Sequence, residues 1–238
     1  MFILGIATSG RAGSVVLARE SGGCFEVLGA APLAGGTYSA QLIPAISALV
    51  AGASLAKSAI DLLAVASGPG SFTGLRVGLS TVKGLAEALK KPIVAVSVLA
   101  ATAVAAGKTA SVIAALDAQR GEVYAGEYQV AYSEMPAELK AHRVEEVLLS
   151  LEEFVGLMRA RIPAPVICTP DASVESALRQ AGSPVQRVPR PQADLIAHLG
   201  VAQYLQGQTI SCEALDANYL RRSDAEIFSA PKPARPRE

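Results

Sequence analysis

The chain has 238 residues, of which 51% are hydrophobic and 18% charged, and its 21 basic and 21 acidic side chains balance. This composition excludes a wholly disordered chain and a protein that binds nucleic acid through its bulk charge. Three cysteines without a CxxC spacing indicate a reducing compartment rather than a disulfide framework. Because no apolar run has the length of a membrane span and the N-terminus lacks a basic n-region, we expect a cytoplasmic protein.

The first half of the chain predicts strands followed by alternating helices and strands. Apolar runs indicate a strand at 2–7 and two more in "SVVLARE" and "CFEVLGAA", around a Ser-Gly-Gly turn. Apolar residues at helical spacing predict helices over 39–50 and 71–90. "DLLAVAS" and "PIVAV" are typical of buried strands, and Ser97 is expected to cap the alanine-rich helix that follows.

The second half repeats this pattern. "SVIAALDAQRGEVYAGEYQ" has the strand, polar turn and strand of "FILGIATSGRAGSVVLARE", with Ala7 and Asp117 ending the respective first strands. Strands in "PVICT" and "PVQRV" alternate with helices predicted over 144–161, 173–181 and 193–206.

Duplication of this kind predicts an α/β fold with two lobes. We expect the lobes at 1–108 and 109–228, with the last helices free to pack back on the first lobe. The proline-rich segment 229–238 is expected to be a frayed tail.

The stretch "SGPGSFTGLRVGLS" places glycine-rich backbone directly before a predicted helix. It is compatible with a phosphate cradle, a tight strand-to-helix corner, or a surface for another chain. A Walker A loop is excluded because Leu75 and Arg76, not Lys and a hydroxyl, follow Gly74. A dinucleotide fingerprint is excluded by the three residues between Gly70 and Gly74. A weak nucleotide or anion loop stays open, and its residues are Gly68, Gly70, Ser71 and Asp117.

Glycines inside the predicted helix favour a contact surface over a cradle. Gly74, Gly78 and Gly84 each cost about 1 kcal/mol relative to alanine, which a corner does not explain. Gly74 and Gly78 share a thin face that lets another backbone approach, while the stripe from Leu75 to Leu89 suits the core. The sequence leaves open whether the thin face meets another chain or is covered within this one.

Residues for catalysis or metal binding are sparse. His142 and His198 form no HxxxH or HExxH pair, so we expect no metal site. No nucleophile motif such as GxSxG occurs, and Cys168 is expected to be a buried strand cysteine.

Charged residues at two positions allow a functional and a structural interpretation. Asp117 and Glu122 flank the second-half turn, a position at which a carboxylate can orient a metal or a nucleotide. The favoured interpretation is structural, with Asp117 capping the turn and Glu122 exposed on the strand. Arg221 and Arg222 beside Tyr219 fit RNA phosphates, although a solvated terminal face is favoured.

Five motifs together resemble those of the TsaB (YeaZ) family. In chain order they are "ILGIATS", "SGPGSFTGLRVGLSTVKGLA", "VSVLAA", "LDAQRGEVYAGEY" and "NYLRRSDAE". The resemblance implies an actin-like ASKHA (ribonuclease H-like) fold of two lobes. It also implies a role in forming N6-threonylcarbamoyladenosine (t6A) at position 37 of tRNA.

The resemblance further implies a non-catalytic, activating subunit. In the family a TsaD-like partner performs the transfer, a TsaE-like ATPase docks near their interface, and tRNA is met through the complex. No intrinsic cofactor is implied, and ATP or ADP is expected only at the complex interface. The family's pairing surface corresponds here to the helices over 39–50 and 71–90, and it also allows a homodimer. The residues expected on it are assigned by helix, which leaves open that some of the apolar ones face the core instead. They are Leu42, Ile43, Ile46, Phe72, Thr73, Gly74, Arg76, Gly78, Leu79, Val82 and Lys83.

Two residues depart from the family pattern. Ala7 stands where the family usually has Asp, and Tyr38 stands where a His usually precedes Ser39. Both changes favour a pseudo-enzyme. The alternative is a small ASKHA ATPase or phosphotransferase that acts on its own through Asp117 and the glycine loops.

Overall fold

The computed structural model describes residues 1–221, and its first half forms a five-stranded mixed sheet. The elements are β1 (Phe2–Ala7), β2 (Ala12–Ser21), β3 (Cys24–Ala34), α1 (Tyr38–Gly52), β4 (Leu62–Gly68), α2 (Phe72–Leu89), β5 (Ile93–Ser97) and α3 (Val98–Val104). β1 pairs antiparallel with β2 and parallel with β4, which gives the strand order β3-β2-β1-β4-β5. The strands and helices predicted for this half are confirmed.

The second half forms a sheet of the same topology. Its elements are β6 (Ala110–Gln119), β7 (Glu122–Ala131), β8 (Lys140–Ser150), α4 (Leu151–Ala160), β9 (Val166–Thr169), α5 (Ala172–Gln180), β10 (Gln186–Arg187) and α6 (Ala193–Leu205). The order β8-β7-β6-β9-β10 corresponds strand by strand to that of the first sheet, with β6 in the place of β1. The predicted α/β fold of two duplicated, ASKHA-like lobes is therefore confirmed.

The helix predicted over 144–161 is wrong in its first part. β8 continues to Ser150 as a strand that pairs antiparallel with β7, and α4 begins only at Leu151. Ser150 and Glu153 form a capping box, in which the Glu153 amide donates to the Ser150 hydroxyl at 3.1 Å. This S-x-x-E spacing marks the helix start. The apolar residues before it also fit a helical period, but pairing with β7 provides their backbone hydrogen bonds as a strand.

The helices α3 and α6 belong to the core between the two sheets. α6 packs against the first sheet, where Gly5 leaves room for Ala197 and where a Cβ atom on Gly200 would lie 2.5 Å from that of Ala64. α3 packs against the second sheet, and the thiol of Cys168 donates to the Thr102 carbonyl oxygen at 3.3 Å. A single cluster of buried apolar residues joins the two halves through these helices.

The outer faces of the sheets are covered by the remaining helices. α1 and α2 pack on the first sheet, and α4 and α5 pack on the second through Phe154, Val174 and Leu178. Within residues 1–221 we find no helix long and apolar enough to cross a membrane. The predicted tail at 229–238, the end of the second predicted lobe and Arg222 lie outside the described residues.

Candidate functional site

The glycine-rich corner between β4 and α2 receives the chain's own β1–β2 turn. A Cβ atom on Gly74 would overlap the Thr8 carbonyl oxygen, and one on Gly78 would overlap the Thr8 hydroxyl oxygen. A Cβ atom on Gly70 would overlap the Ser9 carbonyl oxygen. The Ser71 amide also donates to the Ser9 carbonyl oxygen at 2.8 Å. The thin face of α2 is therefore covered within this chain, and the placement of Gly74 and Gly78 on a partner surface is corrected.

Tyr38 fixes the same corner from the start of α1. Its hydroxyl donates to the Gly10 carbonyl oxygen at 2.8 Å. Its ring lies 3.1 Å from a Cβ position on Gly74 and 2.8 Å from one on Gly13. Burial raises the pKa of the Tyr38 phenol above its ordinary value, so the hydroxyl keeps its proton and remains a donor. Tyr38 thus holds the β1–β2 turn and the first turns of both helices together.

The residues of the predicted anion loop have partners within the chain. Ser71 caps α2 by accepting from the Gly74 amide at 3.3 Å, and Gly68 has φ +119° beside the Asn218 carbonyl oxygen. The Asp117 carboxylate accepts from the Gln119 amide at 2.7 Å and from the Ser173 hydroxyl at 2.8 Å. These contacts favour the turn-capping interpretation of Asp117.

Residues 1–221 contain no group of three His, Cys, Asp or Glu side chains placed to hold a metal ion. His142 is exposed on β8, and His198 stacks on Phe25 with ring centroids 4.8 Å apart. Cys168 is buried as expected, and burial raises the pKa of its thiol to about 12. Cys168 and His198 therefore pack within the fold, whereas His142 is exposed to solvent.

The predicted pairing residues on α1 and α2 separate into a buried and an exposed set. Leu42, Ile46, Leu79 and Val82 are at most 5% exposed and face the first sheet, as Gly74 and Gly78 do. These residues are therefore removed from the predicted surface, because each helix turns its apolar stripe towards the core. Ile43 and Phe72 are 48% and 37% exposed, Thr73 and Arg76 are also exposed, and Lys83 is half-buried.

The outward sides of α1 and α2 form one surface, here called the α1–α2 face. Its exposed residues are Ile43, Pro44, Ala48, Thr73, Arg76, Ser80, Gly84 and Glu87. α1 carries no charged side chain over its 15 residues, and α2 contributes Arg76 and Glu87 to this face. A Cβ atom on Gly84 would meet no atom within 4 Å, so nothing among the described residues requires a glycine there.

Tyr219 joins this surface, whereas the sequence predicts it only as the neighbour of Arg221 and Arg222. Its ring centroid lies 5.2 Å from that of Phe72, and its hydroxyl accepts from the Arg76 Nε at 3.3 Å. The Arg76 guanidinium lies 3.7 Å above the Phe72 ring. The motif "NYLRR" marks Tyr219 in the sequence, but no pattern of neighbouring residues predicts that it lies next to α2.

Comparison with known proteins gives consistent matches. A sequence model of the family described as "TsaD: tRNA N6-adenosine threonylcarbamoyltransferase" matches residues 30–193, more than half of the chain. The chain is similar to the "tRNA threonylcarbamoyladenosine biosynthesis protein TsaB" of Bacillus subtilis, with 28% identity over 235 residues that cover 95% of this chain and 96% of the relative. The protein of the same description from Escherichia coli is 29% identical over 198 residues, covering 79% and 82%. Among solved structures, "YeaZ from Pseudomonas aeruginosa" has a TM-score of 0.71 at 28% identity, covering 91% of this chain and all of that one.

Proposed function

The chain belongs to the TsaB (YeaZ) family and has a role in t6A biosynthesis, and from this premise we propose that it is the non-catalytic partner of a TsaD-like transferase. In this proposal the chain pairs with the transferase through the α1–α2 face. A TsaE-like ATPase and tRNA then meet the resulting complex rather than this chain alone.

The observation that carries the proposal is the α1–α2 face itself. Charged residues make up 18% of this chain, whereas α1 has none over its 15 residues. Gly84 leaves the α2 backbone open on the same side, so a second chain can approach it closely. A second chain that packs over the two helices would account for the missing charges on α1.

The environment of the turn residues supports a non-catalytic role. Ala7 ends β1, where the family usually has an acidic residue, and a methyl side chain cannot coordinate a metal or orient a nucleotide. Asp117, the corresponding residue in the second lobe, uses both carboxylate oxygens to fix its own turn and Ser173. The alternative of a self-sufficient ATPase gains no support from these contacts.

The experiment is light scattering after gel filtration, on the chain alone and mixed with the TsaD-like protein of the same genome. We expect a 1:1 complex with wild type and none with Ile43→Asp, which places a charge on the exposed apolar side of α1. Leu157→Asp is the matched control, because Leu157 is 54% exposed on α4 in the other lobe. A wild-type chain that elutes separately from the transferase, or two variants that behave alike, would contradict the proposal.

A further inference from the structure

The chain segment 215–221, here called the C-terminal strap, crosses from one lobe to the other. Leu215 is fully buried in the cluster beneath α1 and α2. The Asn218 amide donates to the Ser67 carbonyl oxygen at 2.7 Å, and its side chain donates to the Glu146 carboxylate at 2.5 Å. The strap is thus attached to the end of β4 in the first lobe and to β8 in the second.

The attachment of Asn218 belongs to a buried polar network. The Glu146 side chain is 2% exposed and also accepts from the Ser97 hydroxyl at 2.6 Å and from the Tyr128 hydroxyl. The Arg143 guanidinium also pairs with this carboxylate at 3.7 Å, and each of these partners stabilises it because an unsatisfied buried carboxylate costs free energy. Asn218 therefore has a defined position rather than that of a mobile terminal residue.

The far end of the strap is attached as well. The Arg221 guanidinium pairs with Glu122 and also donates to the Gln119 carbonyl oxygen at 3.4 Å. Tyr219 lies between the attachments at Asn218 and Arg221, and 41% of it is exposed. The strap consequently presents the Tyr219 ring at a fixed place on the surface.

Tyr219 lies at the edge of the α1–α2 face. The two helices begin side by side, since the Tyr38 ring at the start of α1 lies against Gly74 in the first turn of α2. Phe72 and Arg76, which contact Tyr219, belong to the first two turns of α2. The aromatic pair and the arginine are thus continuous with the face assigned to the transferase.

We propose that Tyr219, which packs on Phe72 and Arg76, extends the α1–α2 face and contacts the TsaD-like transferase subunit. This inference rests on the proposed function. Exposed Tyr and Arg side chains that pack on an aromatic ring have the composition of interface hot spots. Tyr219 is the contacting residue, and Asn218 acts as a positioning residue that holds it against α2.

The charges of the cluster favour a protein partner over RNA. Arg221 is paired with Glu122, and the Arg76 guanidinium lies on the Phe72 ring and donates to Tyr219. RNA contacts depend largely on cationic side chains that reach phosphates. The cluster thus consists of two partly exposed rings, one ion-paired arginine and one stacked arginine, so it is more aromatic than basic.

The test is isothermal titration of the transferase into full-length Tyr219→Ala, Tyr219→Phe and wild-type chains. We expect Tyr219→Ala to weaken pairing at least tenfold, and Tyr219→Phe to stay within threefold because it keeps the ring. Asn218→Ala should weaken pairing in the same direction, since it releases Tyr219 from its position. Tyr132→Ala is the matched control, because Tyr132 is 42% exposed outside this face, and it should pair like wild type.

Ile43→Asp separates failure of this inference from failure of the proposed function. If Ile43→Asp prevents pairing while Tyr219→Ala pairs like wild type, the strap is not part of the interface and the proposed function stands. If the wild-type chain does not pair, the proposed function fails and this inference fails with it. Unchanged pairing with weaker binding of tRNA by the Tyr219→Ala complex would assign the strap to RNA and overturn the inference.

Discussion

A Cβ atom on Gly74 would overlap the carbonyl oxygen of Thr8, so these two backbones touch only because residue 74 has no side chain. Gly84, three turns further along the same helix, has open space at the corresponding position. The two glycines of one helix therefore have different roles, and alanine substitution at each position distinguishes those roles.

We predict opposite effects of alanine at the two positions. Gly74→Ala should lower the free energy of unfolding by about 1–3 kcal/mol, because the β1–β2 turn must shift. Gly84→Ala should raise it by about 0.5–1 kcal/mol through helix propensity alone. Urea unfolding of the free chain measures both changes, and equal signs would contradict the account.

Tyr38 is predicted to stabilise the corner through its hydroxyl as well as its ring. Tyr38→Phe removes the donor to the Gly10 carbonyl oxygen and should cost about 1 kcal/mol of unfolding free energy. Tyr38→Ala should cost about 3–5 kcal/mol, because it leaves a cavity next to Gly13 and Gly74. If Tyr38→Phe has the same free energy of unfolding as wild type in urea, the hydrogen bond contributes nothing to stability and the prediction is wrong.

The Glu146 network is predicted to depend on Tyr128. Burial and the neighbouring Glu146 carboxylate raise the pKa of the Tyr128 phenol far above its ordinary value, so its hydroxyl stays protonated and donates. Tyr128→Phe should therefore cost about 1–3 kcal/mol of unfolding free energy. Tyr132→Phe, at an exposed tyrosine, serves as the control and should leave the unfolding midpoint unchanged.

His198 is predicted to make the fold less stable in mild acid. Burial lowers the pKa of its imidazole, an effect that outweighs the opposing influence of Glu134 and Asp194, and its Nε2 has no partner within the described residues. The unfolded chain then binds a proton below pH about 6.5 that the folded chain excludes. The contribution of His198 to the free energy of unfolding is therefore at its maximum above that pH and decreases as the pH falls below it.

His198→Phe tests this pH dependence while keeping a ring against Phe25. The unfolding free energy of wild type and variant is compared at pH 7.5 and pH 5.5. We expect a smaller loss between these values for the variant, since the carboxyl groups common to both proteins titrate alike. An equal loss in the two proteins would exclude His198 as the source.

The order of strands and helices in the first lobe follows from sequence because each element satisfies a local rule. The continuous apolar run of a buried strand such as β4, the Ser97 cap and the apolar stripe of α2 are each contained within one element. The helix prediction is wrong over 144–150 because the strand there depends on pairing with β7, which the residues of β8 alone do not encode. The S-x-x-E signal at Ser150 marked the true helix start.

The candidate site was only partly predictable for a related reason. α1 and α2 were assigned to a surface as whole helices, but which side faces out depends on packing against the first sheet. Leu42 and Val82 thus face the core, whereas Ile43 is exposed. The thin face at Gly74 receives Thr8, and Tyr219 reaches Phe72 over a sequence separation that no local pattern spans.

The most direct test of the central claim is the affinity of the TsaD-like transferase for Gly84→Arg and Gly156→Arg chains, measured by isothermal titration. Both glycines are exposed in helices with no atom within 4 Å of an added Cβ, so both variants should fold. If the α1–α2 face pairs with the transferase, Gly84→Arg should weaken binding more than tenfold while Gly156→Arg, on α4, binds like wild type. Wild-type affinity for Gly84→Arg would show that the partner does not cover α2 and would contradict the account.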